Sequence, residues 1–345
     1  MAVTIKDVAK AAQVSVATVS RALSGSDKVT GETRRHVDAA AARLGYIPHE
    51  GARSLSIRRT QCVGVVLPDL HGEFFSELIR GIDRVARAHG LHLLLSCSHG
   101  DAAEVAAALR AMRGRVDGLL VMSPHVDSKV LAKNLQPTMP TVLVNCRDGG
   151  DRYSALVIDN YGGACAMVRH LAGRGHRRIA MIGGPEANFD ARERLAGYND
   201  ALAELLPGAR PQVLRGDFSE ESGYRAGRRL ASMSEHPDAI FAANDMMAIG
   251  CLFALNESGL DVPGDIALAG FDDIPIARYV SPPLTTVRVR IAEMGELALE
   301  RLVLAIGEAG KDKHSIQTLR TELVVRSSCA PHPAALVALR PKGAG

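Results

Sequence analysis

The outer face of one short predicted helix carries four residues at helical spacing: Val16, Ala17, Ser20 and Arg21. Arginine can donate two hydrogen bonds to a guanine, whereas valine and alanine can offer apolar contact to a thymine methyl group. A helix that follows another short helix and a tight turn can present such residues to the major groove of DNA. Two short capped helices also occur in proteins that bind no DNA, and Arg21 could be a solvated surface residue. This stretch alone leaves both interpretations open.

Three predicted helices position these side chains. Thr4 and Asp7 form a capping-box pattern at the start of the first helix, and Ser15 is placed to cap the second. Thr30 can cap a third helix, which Gly45 ends. Each helix carries apolar residues at helical spacing, so the three can close over a small common core. We expect residues 1–48 to form an all-α helix-turn-helix head.

A polar and basic segment, residues 49–60, follows the head. Its middle part could form only a short helix, which is marginal in water, and we expect it to fold as a hinge helix against DNA or a partner chain. Leu55 is a large apolar residue in this solvated segment. It either packs onto the following domain or inserts between base pairs from the minor groove.

The basic charge is concentrated at the amino-terminal end. Residues 1–60 hold ten lysines and arginines against five acidic residues, although the formal net charge of all 345 residues is only +3. A basic head on a near-neutral body is typical of a module that binds a polyanion. The six cysteines are scattered and include no C-x-x-C pair, which argues against a zinc or redox motif. Since the sequence shows no signal region and no membrane-spanning run, we expect a cytoplasmic protein without metal or cofactor.

From Cys62 onward, short apolar runs alternate with helical patterns. Ten runs have the length and composition of strands: 62–68, 91–97, 117–122, 141–145, 155–159, 178–184, 212–216, 239–245, 265–273 and 284–289. Repeated strand–helix units favour parallel sheets covered by helices, and ten strands suit two doubly wound lobes better than one. The predicted fold class is α/β, with an all-α head and two parallel-sheet lobes.

A long helix predicted over 291–308 follows the last of these runs, and we interpret it as the chain returning to the first lobe. The predicted organisation has a head, a hinge, a two-lobed core and a flexible tail: 1–48, 49–60, 61–329 and 330–345. Each lobe of the core is expected to use two segments: about 61–160 with 288–318 for lobe 1, and about 161–287 with 319–329 for lobe 2.

Motifs spread over residues 4–329 resemble the lactose-repressor/galactose-repressor (LacI/GalR) family of bacterial transcription regulators. They are TIKDVAKAAQVSVATVSRAL, the ARSL hinge, FFSELIRGI, DGLLVM, VIDN, GHRRIAMIGGP, RLAGY, GDFSEESGYRA, AANDMMAIG, VPGDIALAGFDD and PPLTTV. The resemblance implies a DNA-binding head, a hinge helix, a two-lobed effector core of the periplasmic-binding-protein type, and a homodimer. Tetrameric members carry a leucine-heptad tail, which the short, proline-rich segment 330–345 cannot form, so a dimer is expected.

The resemblance assigns base contacts to Val16, Ala17 and Arg21. It implies a palindromic double-stranded operator as the partner, with Leu55 and its dimer mate at the operator centre and Ala52 in the same hinge. Thr4 belongs to the same predicted DNA-binding set. Hydroxyl groups suited to phosphate contacts, which position the head without reading sequence, are those of Ser15, Thr18, Ser20, Thr33 and Tyr46.

For the effector, the resemblance implies a cleft between the lobes, where strand ends meet helix starts. The candidate contacts are Asp69, Phe74, Phe75, Asn145, Asp159, Arg192, Arg194, Phe218, Asn244 and Asp272. The two arginines resemble those that clamp ligand hydroxyls or carboxylates, and Phe218 resembles an aromatic stacking face. Asn244 and Asp272 resemble a polar pair that holds sugar hydroxyls. Asn244 could instead cap the next helix, and Asp272 could open a turn.

Two positions bear on the class of effector. Where purine-binding relatives carry an arginine and a threonine just before the RLAG run, this chain has Asn188 and Asp190, which argues against a purine. The remaining set is closer to the sugar-responsive branch and favours a sugar or sugar acid. We therefore expect a repressor of a carbohydrate-utilisation operon, in which the effector either releases or tightens DNA binding.

Two other classes of protein are disfavoured. A pure sugar-binding protein would share the core, but it needs no basic head. An enzyme on a doubly wound fold would need a reactive motif, and the sequence contains no G-x-G-x-x-G after a strand, no G-x-S-x-G, no P-loop and no metal-ligand spacing.

Overall fold

The computed structural model describes residues 3–24, 26–46, 59–126, 131, 133–146, 153–307 and 315–329. The chain divides into two compact units, one formed by residues 1–62 with 114–117 and the other by the remainder. The predicted hinge contacts Ala52 and Leu55 and the predicted tail at 330–345 lie outside the described residues.

Three helices form the head: α1 (Ile5–Ala11), α2 (Val16–Leu23) and α3 (Gly31–Leu44). The predicted caps are confirmed. The Asp7 carboxylate accepts hydrogen bonds from the Thr4 N–H at 2.9 Å and from its hydroxyl at 2.7 Å, and Ser15 accepts one from a first-turn N–H of α2 at 3.1 Å. Thr30 caps α3, and Gly45 ends it with a φ of 64°, a conformation that glycine adopts at little cost.

The core of the head consists of small side chains. Eight valines and alanines are buried: Val8, Ala9, Ala12, Val19, Ala22, Val37, Ala40 and Ala41. Ile5, Leu23 and Leu44 pack against them from the edge. Short side chains let the three helices approach closely. Because Val19 and Leu23 turn inward, the opposite side of α2 is left free.

The second unit is built on two six-stranded sheets. The strands in chain order are β1 (Cys62–Leu67), β2 (His92–Cys97), β3 (Gly118–Met122), β4 (Thr141–Val144), β5 (Ser154–Ile158), β6 (Ile179–Gly183), β7 (Gln212–Arg215), β8 (Ala239–Ala242), β9 (Ala267–Asp272), β10 (Thr285–Arg288), β11 (Ile316–Leu319) and β12 (Glu322–Val324). Each of the ten predicted strands is found. The edge strands β11 and β12 are not predicted, because β11 is largely exposed, β12 is only three residues long, and neither has a long apolar run.

The strand order places one switch point in each sheet. Sheet 1 has the order β11-β5-β4-β3-β1-β2, and sheet 2 has the order β12-β10-β9-β8-β6-β7. In sheet 2, β12 pairs antiparallel with β10 and the other four pairs are parallel. The winding reverses between β1 and β3 in sheet 1 and between β6 and β8 in sheet 2. In such sheets, ligands bind in the crevice at the carboxyl ends of the strands beside the reversal.

The helices of this unit cover the faces of the sheets. They are α4 (Glu73–Ala88), α5 (Ala102–Met112), α6 (Asn160–Gly173), α7 (Phe189–Leu205), α8 (Glu220–Ala231), α9 (Asp245–Glu257) and α10 (Ile291–Gly307). The predicted α/β class with an all-α head is thereby confirmed. In the part of the chain that the structure describes, no helix has both the length and the apolar character needed to cross a membrane.

The chain passes between the two sheets three times, after β5, after β10 and between β11 and β12. The second passage leads into α10, which packs on α4 of sheet 1 so closely that a Cβ atom at Gly81 would overlap the Ala292 carbonyl. The interpretation of the long helix as a return to the first lobe is confirmed.

The helices α8 and α9, which pack with sheet 2, are in similarly close contact with each other. A Cβ atom at Gly250 would overlap the carbonyl oxygen of Glu220, and one at Gly223 would overlap that of Met247. Glycine is therefore required at both positions by backbone-to-backbone packing, although both lie inside helices, where alanine is normally favoured.

We predict that Gly250→Ala lowers the free energy of unfolding of the core by about 1–3 kcal/mol, because the added methyl group forces the two helices apart. Urea unfolding followed by circular dichroism measures this change. The matched control is Gly173→Ala at the exposed end of α6, where no atom lies within 4 Å of an added Cβ. The control should leave stability unchanged or raise it by up to about 1 kcal/mol. Equal stability of Gly250→Ala and wild type would contradict the packing argument.

Candidate functional site

The outer face of α2 is exposed within the head. Val16 is 41% exposed, and Ala17 and Arg21 are exposed beside it, whereas Val19 on the other side is fully buried. Ser20 is half-buried at the margin of this face. The fold of the head therefore brings the three predicted base contacts together on one accessible surface.

Several hydroxyl groups of the predicted DNA-binding set already take part in helix caps. Thr4 donates to Asp7, the hydroxyls of Ser15 and Thr18 lie 2.8 Å apart, and that of Thr33 lies 2.9 Å from Thr30. In each pair, one hydroxyl donates its proton to the oxygen of the other. The proton of the accepting hydroxyl therefore remains available to donate to a phosphate oxygen. Tyr46 is half-buried against the helical core.

A cavity of about 400 Å³ opens at the carboxyl ends of the two sheets. Pro68 follows β1 and Pro124 follows β3 in its lining, so both flank the switch point of sheet 1. Pro185, after β6, and Asn244, after β8, flank the switch point of sheet 2. The cavity therefore lies where two doubly wound sheets are expected to bind a ligand.

Seven of the ten effector candidates line this cavity: Asp69, Phe74, Phe75, Arg194, Phe218, Asn244 and Asp272. The structure does not bring the other three into the lining. Asn145 follows β4, one strand away from the switch point, and is 1% exposed. Asp159 caps α6 by accepting a hydrogen bond from the Gly162 N–H at 2.9 Å. Arg192 donates to two backbone carbonyls of the loop before α7, each at 3.0 Å.

Arg194 is a buried cation held by several polar groups. It is 4% exposed, and its Nη2 lies 3.1 Å from Oδ1 of Asp272. Its Nε donates to the Asn160 side chain at 2.8 Å, and its Nη1 donates to the Ala243 carbonyl. The guanidinium centre lies 3.8 Å from the centroid of the Phe271 ring. These contacts fix the orientation of the guanidinium and compensate its loss of hydration.

Two buried carboxyl groups flank this cation. Asp190 is 6% and Asp272 5% exposed, and both line the cavity. Burial raises the pKa of each to about 6, against the opposing influence of the Arg194 charge. The charge of Asp190 contributes to the raised pKa of Asp272, and the nearby Asn145 lowers that of Asp190. Near neutral pH, the cavity thus holds two hydrogen-bond-accepting carboxylates beside one cation.

Strained backbone marks the same region. Asn145, Phe218 and Asp272 have φ angles of 49°, 72° and 112°, although none is glycine. Such conformations cost roughly 1–3 kcal/mol each and persist where the surrounding structure enforces them, often at ligand sites. All three residues follow or end a strand at the carboxyl edge of its sheet, and two of them, Phe218 and Asp272, line the cavity.

Asn244 serves as a helix cap and also lines the cavity. Its Oδ1 accepts from the Met247 N–H at 2.9 Å, and its Nδ2 donates to the Phe218 carbonyl at 2.9 Å. The neighbouring Asp245 is fully buried and accepts hydrogen bonds from the Ile274 N–H and the Thr286 hydroxyl. Burial, reinforced by Asp272, raises the pKa of Asp245. Asp245 therefore connects α9 to β10 and to the segment after β9, whereas Asn244 orients both α9 and the loop that carries Phe218.

Several lining residues are absent from the predicted contacts: His71, His99, Met122, His125, Asp217, Ser219 and Met246. Asn188 and Asp190 also line the cavity, and the sequence used them only to judge the class of effector. Burial and the nearby Arg192 charge lower the pKa of His125, whose Nε2 lies 3.2 Å from the Asn188 amide. Met122 and His125 end or follow β3, which adjoins the switch point. Their strand was predicted from the sequence, but its neighbours in the sheet were not. Asp190 carries a usable signal, since it lies four residues before Arg194 and so shares its helix face.

The geometry agrees with comparisons to known proteins. The family described as bacterial regulatory proteins, lacI family, matches residues 4–49, and a periplasmic binding protein-like domain matches residues 168–329. The HTH-type transcriptional repressor PurR of Klebsiella pneumoniae (strain 342) is 36% identical over 334 residues, which are 96% of this chain and 98% of that protein.

Two solved structures show the same architecture. The lac repressor dimer bound to operator and the anti-inducer ONPF has a TM-score of 0.83 and 29% identity, over 96% of this chain and all of that one. The complex of the transcriptional regulator CelR with cellobiose has a TM-score of 0.70 and 32% identity, over 94% of this chain and 99% of that one.

We predict a pH-dependent effect of Asp190→Asn on stability. The pKa of Asp190 is raised from 3.8 to about 6 in the folded protein. Between these values the folded state binds more protons than the unfolded state, so the contribution of Asp190 to stability falls as pH rises. Asparagine keeps an acceptor for Asn160 without the buried charge. The variant should exceed wild type by about 1–3 kcal/mol at pH 8, and the difference should disappear below pH 4.

Urea unfolding of both proteins at pH 4, 6 and 8 measures this difference. A constant difference at all three pH values would show that Asp190 does not titrate in this range.

Proposed function

Because the chain belongs to the LacI family of bacterial regulatory proteins, we propose that it represses a carbohydrate-utilisation operon and that a small neutral sugar controls its affinity for the operator. The observation that carries this proposal is the cavity at the switch points of both sheets, which combines aromatic faces with buried hydrogen-bond acceptors. PurR and the lac repressor are repressors, and the chain is a ligand-regulated DNA-binding repressor rather than an enzyme.

A sugar presents hydroxyl donors around an apolar ring face, and the lining matches both features. Asp190, Asp272 and Asn244 offer polar groups, while Phe74, Phe75 and Phe218 are half-buried aromatic residues around the same space. The volume of about 400 Å³ lies in the ordinary range of small-molecule sites. The CelR neighbour was solved with cellobiose, which supports the same ligand class here.

The charge balance favours a neutral sugar over a sugar acid. Four aspartates line the cavity (Asp69, Asp190, Asp217 and Asp272), whereas Arg194 is the one arginine in the described lining. Arg194 already pairs with Asp272. A ligand carboxylate would therefore meet surplus negative charge in a site of low dielectric, which disfavours its binding.

For DNA, we propose that a homodimer presents two heads to a palindromic operator in the cytoplasm. Arg21 would donate to a guanine, and Val16 and Ala17 would contact neighbouring bases in the major groove. The hinge residues Ala52 and Leu55 would contact the minor groove between the two half-sites. The exposed face of α2 within a basic head supports this part of the proposal.

The test is binding of the protein to labelled DNA from upstream of its own gene, measured by fluorescence anisotropy. Cellobiose, ribose and galactose are added as neutral sugars, glucuronate as a sugar acid, and guanine and hypoxanthine as purines. A neutral sugar should change the affinity by about 5- to 150-fold, the usual range of allosteric coupling. Release would identify an inducer and tightening a corepressor. A response to a purine alone would contradict the sugar proposal, and a protein that prefers no DNA sequence would contradict the regulator proposal.

Removing the Asp272 carboxylate should weaken the response of operator binding to sugar. We predict that Asp272→Asn leaves operator affinity in the absence of sugar unchanged, but raises the half-effective sugar concentration by about 10- to 100-fold, because a charged hydrogen bond to a ligand hydroxyl is lost. Anisotropy titration at fixed DNA concentration measures both quantities. Unchanged sugar sensitivity would place the ligand elsewhere.

Removing the base contact should have the complementary effect. We predict that Arg21→Ala weakens specific operator binding by about 10- to 100-fold and reduces the preference over a scrambled palindrome, with sugar binding to the core intact by calorimetry. Arg229→Ala removes an equal charge from the exposed surface of α8 and serves as the matched control. Equal losses in both variants would indicate a general charge effect rather than base recognition.

A further inference from the structure

Asn160 lies where the chain first leaves sheet 1 for sheet 2. It is the first residue of α6, two residues after β5 ends at Ile158, and it is only 2% exposed. It is outside the lining of the cavity, yet it forms hydrogen bonds with Asp190 and Arg194, which belong to that lining. Its role is therefore exerted through other residues.

The amide of Asn160 is fixed in one orientation. Its Nδ2 donates to Oδ1 of Asp190 at 2.8 Å, and its Oδ1 accepts from Nε of Arg194 at 2.8 Å. An ionised carboxylate can only accept hydrogen bonds and a guanidinium can only donate them. Turning the amide over would set donor against donor and acceptor against acceptor, so the two charged partners hold it in place.

This amide in turn restricts Arg194, whose charge acts on carboxyl groups on two sides. That charge lowers the pKa of both Asp190 and Asp272 against the effect of burial. Asn160 occupies Nε and the Ala243 carbonyl occupies Nη1, which leaves Nη2 to meet Asp272 at 3.1 Å. Without Asn160, the guanidinium would be free to rotate toward the carboxylate of Asp190.

We infer that Asn160 is a positioning residue of the effector site, because its amide directs Arg194 to Asp272 and so leaves Asp190 able to accept a hydrogen bond from a ligand hydroxyl. The ligand in this statement rests on the proposed function, but the pairing of Arg194 is a property of the protein alone.

A double-mutant cycle at positions 160 and 190 tests the hydrogen bond between Asn160 and Asp190 without any ligand. Asn160→Asp replaces the N–H donor by a carboxylate that faces Asp190, and two adjacent carboxylates cannot both ionise readily at pH 8. The other charged or titratable groups around Asp190 are Arg194 and Glu193 on α7, Asp272 at the end of β9, and the buried Cys146 thiol. In the Asp190→Asn background the hydrogen bond is reversed, with an amide at position 190 donating to the new carboxylate.

We expect Asn160→Asp to lower the melting temperature of the full-length protein by roughly 5 °C at pH 8 and to recover at pH 5, where one proton can bridge the pair. The same substitution should cause no loss in the Asp190→Asn background. If Asn160 acted only at the start of α6, Asn160→Asp would not lower the melting temperature at pH 8, since a negative charge in the first turn of a helix interacts favourably with the helix dipole. The inference would be overturned if Asn160→Asp were as stable as wild type at pH 8. It would also be overturned if the substitution changed the melting temperature equally in the wild-type and Asp190→Asn backgrounds.

A crystal structure of full-length Asn160→Ala provides a second test. The guanidinium of Arg194 should have turned toward Asp190, and an unchanged Arg194–Asp272 pair would overturn the inference.

In the anisotropy assay with cellobiose, ribose and galactose, Asn160→Asp at pH 8 should need about tenfold more of any sugar that acts on wild type. An unchanged requirement would contradict the positioning role. If none of these sugars acts on wild type, the proposed function fails, while the melting-temperature cycle and the crystal structure still decide the role of Asn160.

Discussion

The buried guanidinium of Arg194 constrains the whole cleft. Removing a cation from water costs several kcal/mol unless it is paired and hydrogen-bonded, so each group around it must be placed accurately. Asp272 supplies the opposite charge, Asn160 and the Ala243 carbonyl supply acceptors, and the Phe271 ring lies against the guanidinium. These groups come from three separate segments of the chain, because Phe271 and Asp272 are neighbours at the end of β9. The guanidinium is therefore compensated only when the central strands β8 and β9 of sheet 2 and the start of α6 are correctly assembled around it.

Ligand contacts and structural contacts coincide in this region for a topological reason. At the carboxyl edge of a parallel sheet each strand turns into the start of a helix, and residues there can satisfy the free N–H groups of that helix. Asn244 does so for α9 and still borders the cavity, whereas Asp159 caps α6 outside it. A capping side chain can thus contribute to binding only where the start of its helix borders the cavity.

The head and the cavity of the core differ in charge, and each charge suits the proposed partner of that part. The head is basic and exposes one face of a single helix, as suits a polyanionic partner. The cavity of the core is rich in carboxylates, as suits a ligand with hydroxyl donors. A ligand can shift the operator affinity only by as much as its own affinity differs between the two states of the core. Contacts whose strength differs between those two states are therefore the ones that matter for regulation.

The sequence alone determined the local features of this protein. The caps at Thr4, Ser15 and Thr30 and the left-handed Gly45 depend on residues only a few positions apart, and the ten principal strands are recognisable from their own apolar runs. Tertiary structure decided which residues share the cavity. Asn145 and His125 each follow a strand, but only His125 follows one beside the switch point, and strand order depends on pairing between distant segments. Edge strands β11 and β12 are likewise defined by their partners, because β11 is largely exposed and β12 has only three residues. Local signals fix elements, whereas neighbours in space are chosen by the burial and hydrogen bonding of the whole chain.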